Sequence, residues 1–168
     1  LDSLTSGGSN VAIGNGTLTA NTTGASNTVS GTYAAYSNTT GGNNTASGFR
    51  AFQDNTTGGN NHGFGANTLA ANTTGGQNIA IGRNALLANT TADNNVAVGY
   101  ASMHLNTTGA YNVAVGKQVL YANTTGTHNT ASGYRALFTN TTGARNIATG
   151  YQALNTNTTG ACNVAVGS

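Results

Sequence analysis

Apolar positions recur along this chain in two short groups separated by polar turns. In one group an Ala lies between two similar residues and a Gly follows, as in Val96-Ala97-Val98-Gly99. The other group carries one large apolar residue ahead of the tetrad Asn-Thr-Thr-Gly. β-Branched residues that alternate with Ala and stop at Gly are typical of a short strand entering a turn. The pattern therefore predicts strands and turns.

These groups return every 17 residues, without insertion or deletion. A fixed short period is the signature of a repeat architecture, in which each unit buries its apolar face only against its neighbours. Two Asn columns mark the period. The Asn of Asn-Thr-Thr-Gly falls at Asn21, Asn38, Asn55, Asn72, Asn89, Asn106, Asn123, Asn140 and Asn157. The Asn of a second register, Asn-x-Ala-x-Gly, falls at Asn10, Asn27, Asn44, Asn61, Asn78, Asn95, Asn112, Asn129, Asn146 and Asn163.

The period predicts an all-β parallel β-solenoid, or β-roll, with one repeat per coil, because helix-bearing repeats need about 20 residues or more. The 168 residues then make about ten coils in a single repeat domain: a partial coil 1–9, full repeats 10–162 and a partial coil 163–168. We expect the Gly of the tetrad to take positive φ at a corner. One apolar column is expected to fill the interior: Leu18, Leu69, Leu86, Leu120, Leu137 and Leu154, with Phe52 and Met103 as large substitutes.

The orientation of the strand is open between two assignments. The residues on either side of the strand Ala change together, from apolar in Val11/Ile13 to hydroxyl-bearing in Thr28/Ser30. Residues two apart in a strand share a face. Either these pairs face the coil interior and Ala faces a neighbouring chain, or the reverse holds. We favour the first assignment, because a fixed Ala is expected where two surfaces approach closely.

The Asn columns have two interpretations. In stacked coils, identical Asn side chains can bond to one another and form a ladder that satisfies buried polar groups. Every Asn-Thr-Thr is also an N-glycosylation acceptor, as are Asn15-Gly16-Thr17 and Asn43-Asn44-Thr45. One glycan per coil would place sugars only about 4.8 Å apart, which favours the ladder.

Composition and charge exclude several functions. Charged residues are 5% of the chain, and the net charge of +2 is expected to form no basic stripe, so we expect neither nucleic acid nor membrane insertion. No catalytic or metal-ligating set is predicted, because Asp2, Asp54 and Asp93 occupy three different columns of the repeat. His62, His104 and His128 likewise occupy three columns. We therefore predict no enzyme activity and no cofactor.

Aromatic residues vary from repeat to repeat and mark a candidate contact surface. Aromatics in register pack between coils or chains, or form a platform for glycans. The candidate contact residues are Phe49, Tyr100, Tyr134, Tyr151, Tyr36, Tyr121 and Phe138.

The repeats resemble those of known fibres. Residues 129–143, Asn-Thr-Ala-Ser-Gly-Tyr-Arg-Ala-Leu-Phe-Thr-Asn-Thr-Thr-Gly, look like repeats of bacterial surface fibres and phage tail fibres. Asn-Val-Ala-Val-Gly, at 95–99 and 112–116, is similar to the head repeats of trimeric autotransporter adhesins, although those repeats are shorter. The resemblance implies a left-handed parallel β-roll, commonly trimeric, displayed at a cell surface or on a virion.

These observations predict an extracellular structural or adhesive fibre segment. The alternative is a self-assembling, N-glycosylated homopolymeric filament, and a lesser one is an ice- or glycan-binding solenoid. So few large apolar residues per coil make a thin core, which favours self-association, as a trimer or as an end-to-end filament. Glycans of a host surface are the other expected partner.

Overall fold

A computed structural model describes residues 3–167, and within them the chain is a parallel β-solenoid without helices. Ten three-residue strands form one sheet in sequence order, and each residue pairs with the residue 17 positions further on, as Val96 does with Val113. The predicted fold and repeat length are confirmed. The strands are β1 (Val11–Ile13), β2 (Thr28–Ser30), β3 (Thr45–Ser47), β4 (His62–Phe64), β5 (Ile79–Ile81), β6 (Val96–Val98), β7 (Val113–Val115), β8 (Thr130–Ser132), β9 (Ile147–Thr149) and β10 (Val164–Val166).

Hydrogen bonds between coils continue outside the strands. In the tetrad, the backbone N–H of Thr39 donates to the carbonyl of Thr56 in the next coil at 2.9 Å, and the Thr39 hydroxyl donates to the same oxygen at 3.1 Å. The turn after the strand is bonded in the same way. Turns as well as strands therefore hold the coils in register, which is why strands of three residues are sufficient.

The strand Ala faces the coil interior, so the favoured assignment of the strand is wrong. Ala80 and Ala97 are 0% exposed, whereas Ile79 and Ile81 on either side of Ala80 are 37% and 41% exposed. The alternation eBe recurs in β4, β5, β7 and β9. Only a small residue fits inside because the apolar column lies opposite the strand. A charged residue at Ala97 would thus disrupt the coil itself rather than a contact between chains.

The apolar column fills the interior. Where a side chain in this column is unusually large or small, the residue at the strand Ala position changes in size the opposite way. Phe52 is the largest buried side chain, and Gly63 replaces Ala in the strand of the following coil. A Cβ on Gly63 would overlap the Phe52 ring and would lie 3.0 Å from Phe52 Cζ. The coil of residues 27–43 has the opposite combination: Val29 stands in place of the strand Ala, Ala35 in place of the large apolar residue, and both are buried. Paired changes of this kind keep the interior close-packed.

Left-handed backbone conformation recurs at non-glycine residues, which sequence reasoning missed. Leu120 has φ 48° and Gln118 has φ 57°, and their columns repeat these values. Such residues cost about 1 to 2 kcal/mol in a left-handed conformation. Their N–H groups are aimed at the adjacent coils, since Gln118 donates to the Tyr100 carbonyl at 2.9 Å and Leu120 to that of Ala136 at 3.0 Å. Hydrogen bonds between coils offset the strain.

Gly is required for different reasons in two columns, the one directly after each strand and the one that ends the tetrad. The Gly after each strand has φ between 114° and 143°, a region open essentially to Gly alone. The Gly of the tetrad does not have positive φ, so that expectation is wrong. Close packing explains it instead, because a Cβ on Gly41 would lie 2.5 Å from Asn38 Oδ1 and 3.0 Å from Asn55 Nδ2. Ala92 is the one non-Gly residue in this column.

The contact between Phe52 and Gly63 predicts a coupled pair of substitutions. Gly63→Ala should destabilise the protein by about 1 to 3 kcal/mol through overpacking, and Phe52→Leu by about 1 kcal/mol through a cavity. The double variant reproduces the Leu69 and Ala80 combination one coil further along, so its unfolding free energy should return close to that of the wild type. Chemical denaturation of all four proteins measures the coupling, and strictly additive effects would contradict this packing account.

Candidate functional site

The Asn of the tetrad forms a continuous buried ladder, which we call the corner ladder. Asn38 is 1% exposed, and its Nδ2 donates to Asn21 Oδ1 at 2.8 Å and to the Gly41 carbonyl at 3.0 Å. The same two bonds recur in each coil up to Asn157. The predicted Asn ladder is confirmed.

The Asn before each strand forms a second ladder, the strand ladder. The backbone N–H and Nδ2 of Asn112 donate to Asn95 Oδ1 at 3.0 and 3.2 Å, and Nδ2 also donates to the Gly126 carbonyl at 2.9 Å. Asn112 Oδ1 in turn accepts from the backbone N–H of Asn129 at 2.9 Å. The bond to Gly126 ties the strand entrance to the corner carbonyl of the next coil. Both ladders are thus anchored on one carbonyl per coil, that of the tetrad Gly.

Buried ladders are poor N-glycosylation acceptors. Both Nδ2 hydrogens of Asn38 are used inside the coil, so a glycan on that nitrogen would require the corner to open. The two acceptors outside the ladders differ, because Asn15 and Asn43 are exposed. Glycan attachment to the folded chain is therefore compatible with those two positions rather than with one position per coil.

Aromatic side chains on the outside stack in register, one coil on the next. His104, Tyr121 and Phe138 form a three-ring stack with centroids 5.0 and 5.2 Å apart and interplanar angles of 7° and 16°. Tyr134 and Tyr151 stack at 5.5 Å. Tyr121 is covered on both faces, and the other four rings are each covered by a ring on one face. Among the candidate contact residues, Tyr121 therefore has no open ring face left for a sugar ring.

The candidate contact residues divide by exposure. Phe49, Tyr100, Tyr151 and Tyr36 are 42 to 57% exposed. Tyr134, Tyr121 and Phe138 are half-buried within their stacks. The exposed rings lie in two columns, one directly after the strand Gly and one directly after the apolar column.

Positive charge is concentrated at one edge of the solenoid, contrary to the expectation that no basic stripe exists. We call the two residues that follow each strand Gly the edge stripe; it runs from Asn15-Gly16 to Tyr151-Gln152. Four of the five Lys and Arg residues lie in it, and the fifth is Arg145. The stripe contains no Asp or Glu. The sequence carries this signal, because residues whose numbers differ by a multiple of 17 lie in one column, and Arg50 and Arg135 differ by five repeats of 17 residues.

The titratable residues otherwise remain scattered. His62 lies on the outward face of β4, and Tyr111 and His128 stack at 5.0 Å on another column. Cys162 is exposed and unpaired. Within residues 3–167, no three His, Cys, Asp or Glu side chains come together as metal ligands. The described part of the chain also contains no helix that is long and apolar enough to cross a membrane.

The outward side of the sheet is a surface without charged residues in the described chain, and we call it the strand face. It consists of the first and third residues of β1 to β10, and none of them in the described chain is Lys, Arg, Asp or Glu. Val and Ile on this face range from half-buried to 79% exposed at Val166. Coils with Thr or Ser at the same positions interrupt the apolar area, as β2, β3 and β8 do.

Comparison of the chain with protein-family models, with curated proteins and with solved structures finds no match. The resemblance to surface and tail fibres therefore stays a prediction.

The ladders predict that replacing Asn by Asp lowers the unfolding free energy far more inside a ladder than at an exposed position. Asn72→Asp removes the Nδ2 donor and sets a carboxylate against Asn55 Oδ1 and the Gly75 carbonyl, which Asn72 now bonds at 2.7 and 2.9 Å. We expect a loss of about 2 kcal/mol or more in unfolding free energy at neutral pH. Asn60→Asp, at an exposed position of the preceding coil, should change it by less than about 0.5 kcal/mol. Equal effects in denaturant titrations would contradict a structural role for the ladder.

Proposed function

We propose that this chain is a segment of an extracellular structural or adhesive fibre, a rod that displays side chains at regular intervals without catalysing a reaction. The observation that carries the proposal is the contrast between a constant interior and a varied exterior. Inside, the Asn ladders, the strand Ala and the apolar column repeat from coil to coil. Outside, the column after the strand Gly changes from Thr32 to Phe49 to Arg83 to Tyr100.

Rigidity along the axis supports this role. Hydrogen bonds in the strands, the tetrads and both ladders connect each coil to the next. Polar networks in which every member is satisfied stiffen a structure and specify one arrangement. Bending the rod would strain several such bonds at once. A stiff rod that keeps exposed side chains at a constant spacing suits a spacer or a display surface.

The low charge and the scattered titratable residues support a passive role over catalysis. Catalysis needs a convergent set of acid, base or nucleophile in a cleft. Here His62, His104 and His128 lie in three different columns, and Asp54 and Asp93 in two others. An extended polar exterior with aromatic and basic columns is better suited to contact along its length.

A second candidate, self-assembly into a filament, is favoured by the strand face. An uncharged face with exposed Val and Ile is self-complementary, since two copies can meet there without opposing like charges. The partner in this case is a second copy of the same chain. Contact through the side of the rod is compatible with a trimer as well as with a bundle.

The adhesive proposal predicts saturable binding that depends on exposed rings. The purified rod should bind at least one member of a panel of immobilised neutral polysaccharides, acidic polysaccharides and matrix proteins. Replacing Phe49, Tyr100 and Tyr151 by Thr, the residue that the chain itself has at Thr32, should weaken that binding by about tenfold or more. Tyr111→Asn, an exposed ring outside the candidate surface, is the matched control and should leave the affinity within about twofold. Absence of saturable binding to any surface would overturn the adhesive role.

The filament proposal predicts that the association state of the protein in solution depends on the apolar residues of the strand face. Exchanging the apolar pairs of β5, β6 and β7 for the Thr/Ser pair of β2 should shift the protein toward the monomer in sedimentation velocity, because less apolar area is buried between copies. The opposite exchange, Thr45→Val with Ser47→Val, should favour association. A monomer in all three proteins at every concentration would count against assembly through this face.

A further inference from the structure

The edge stripe concentrates charge that the rest of the rod lacks. Arg50, Arg83, Lys117 and Arg135 give it four positive charges and no negative one, although the whole chain has a net charge of only +2. Successive cations are separated by two, two and one coils. At about 4.8 Å per coil, they lie along some 24 Å of one edge. Charges arranged in a line favour a ligand that is itself extended and anionic.

Neighbouring rings hold three of these cations in position. The Arg50 guanidinium lies 5.0 Å from the Phe49 ring centroid, and Lys117 Nζ lies between the Tyr100 and Tyr134 rings at 5.9 and 5.8 Å. Contacts of this kind are worth about 0.5 to 1 kcal/mol at exposed sites. Side chains held before binding lose less entropy when a ligand arrives.

Arg135 is the most constrained of the four. Its guanidinium lies 4.7 Å from the Phe138 ring centroid and 5.3 Å from that of Tyr134, and its Nε donates to Gln118 Oε1 at 3.1 Å. The other guanidinium N–H groups remain available, and a guanidinium pairs with a carboxylate through two parallel hydrogen bonds.

The ring geometry distinguishes among anionic ligands. Proteins that bind single-stranded nucleic acid stack bases on open aromatic faces. Here Tyr121 is covered on both faces by His104 and Phe138, and Tyr134 stacks on Tyr151. The cations lie over the rings beside them: Arg50 over Phe49, Lys117 over Tyr100 and Tyr134, and Arg135 over Tyr134 and Phe138. Ring faces in these pairs are thus shared with a cation. A polymer whose charge is not accompanied by flat bases therefore fits better than a nucleic acid.

We propose that the edge stripe binds an acidic polysaccharide, a chain of uronic-acid sugars lying parallel to the rod axis with its carboxylates on Arg50, Arg83, Lys117 and Arg135. This inference rests on one part of the proposed function, namely that the side of the rod contacts a ligand. It adds the chemical class of the ligand and the residues that select it.

The test uses alginate as the polyuronate, dextran as a neutral polysaccharide of similar flexibility, and a dT oligonucleotide, all in calcium-free buffer. The variant combines Arg50→Gln, Arg83→Thr, Lys117→Thr and Arg135→Gln. Each replacement is a residue that the chain itself has in that column, Gln at Gln118 and Gln152 and Thr at Thr32. The matched control is Arg145→Gln, an exposed cation outside the stripe whose column holds Gln77. Circular dichroism melting confirms that each protein is folded.

The wild type should bind alginate and not dextran, with an affinity that falls as salt rises. The fourfold variant should bind at least about tenfold more weakly and with a shallower salt dependence, while Arg145→Gln should stay within about twofold of the wild type. No alginate binding by a rod that binds another surface would overturn this inference and leave the fibre role intact. An equal loss in Arg145→Gln, an unchanged fourfold variant or preference for dT over alginate would also overturn it.

Discussion

The hydrogen bond from one Asn side chain to the equivalent Asn of the preceding coil is the interaction on which the rest of this structure depends. A carboxamide carries a donor and an acceptor at once, so a column of identical residues can satisfy itself. In Asn106 one Nδ2 hydrogen goes to Asn89 Oδ1 at 3.0 Å and the other to the Gly109 carbonyl at 2.9 Å. The side chain thereby fixes the rise of the coil and closes its corner. Neither a carboxylate nor an aliphatic residue can do both.

The ladders explain how so thin a core can be sufficient. A typical coil buries one large apolar side chain, an Ala from the strand and a small neighbour such as Ala85 or Ser102. The remaining interior is occupied by two Asn side chains that are almost wholly buried. Buried polar groups are tolerated there because every one of their bonds is made within or between coils. The apolar column then varies in size, as at Ala35 and Phe52, while the ladders do not.

Much of this fold follows from the period alone. A constant interval of 17 residues predicts in-register parallel strands, and in-register strands predict that Asn bonds to Asn and that Leu120 lies on Leu137. The facing of the strand did not follow, because Ala fits a narrow interior and a close contact between chains equally well. Nor did the left-handed conformation of Leu120, since its side chain has no intrinsic preference for it. That conformation arises from hydrogen bonds between coils, which are absent from any single repeat.

The exterior was less predictable than the interior. The column positions of Tyr121 and Phe138 were readable from the sequence, but the way their rings stack required coordinates. The line of cations also follows from the sequence once each Lys and Arg is placed by its position in the repeat, which the net charge of +2 does not show. Averages over a chain conceal what a periodic fold brings together.

The ladders also give the rod a direction. In the corner ladder every carboxamide from Asn38 to Asn157 donates toward the coil that precedes it in the chain, as Asn123 does to Asn106. In the strand ladder the backbone N–H does so, as that of Asn146 does to Asn129 Oδ1. The amide dipoles therefore add along the axis instead of cancelling. Such a column can be prolonged only by a coil of the same orientation, because an inverted coil would bring donor against donor or acceptor against acceptor. The two ends of the rod are therefore chemically different, and a coil added at either end must have its chain run in the same direction.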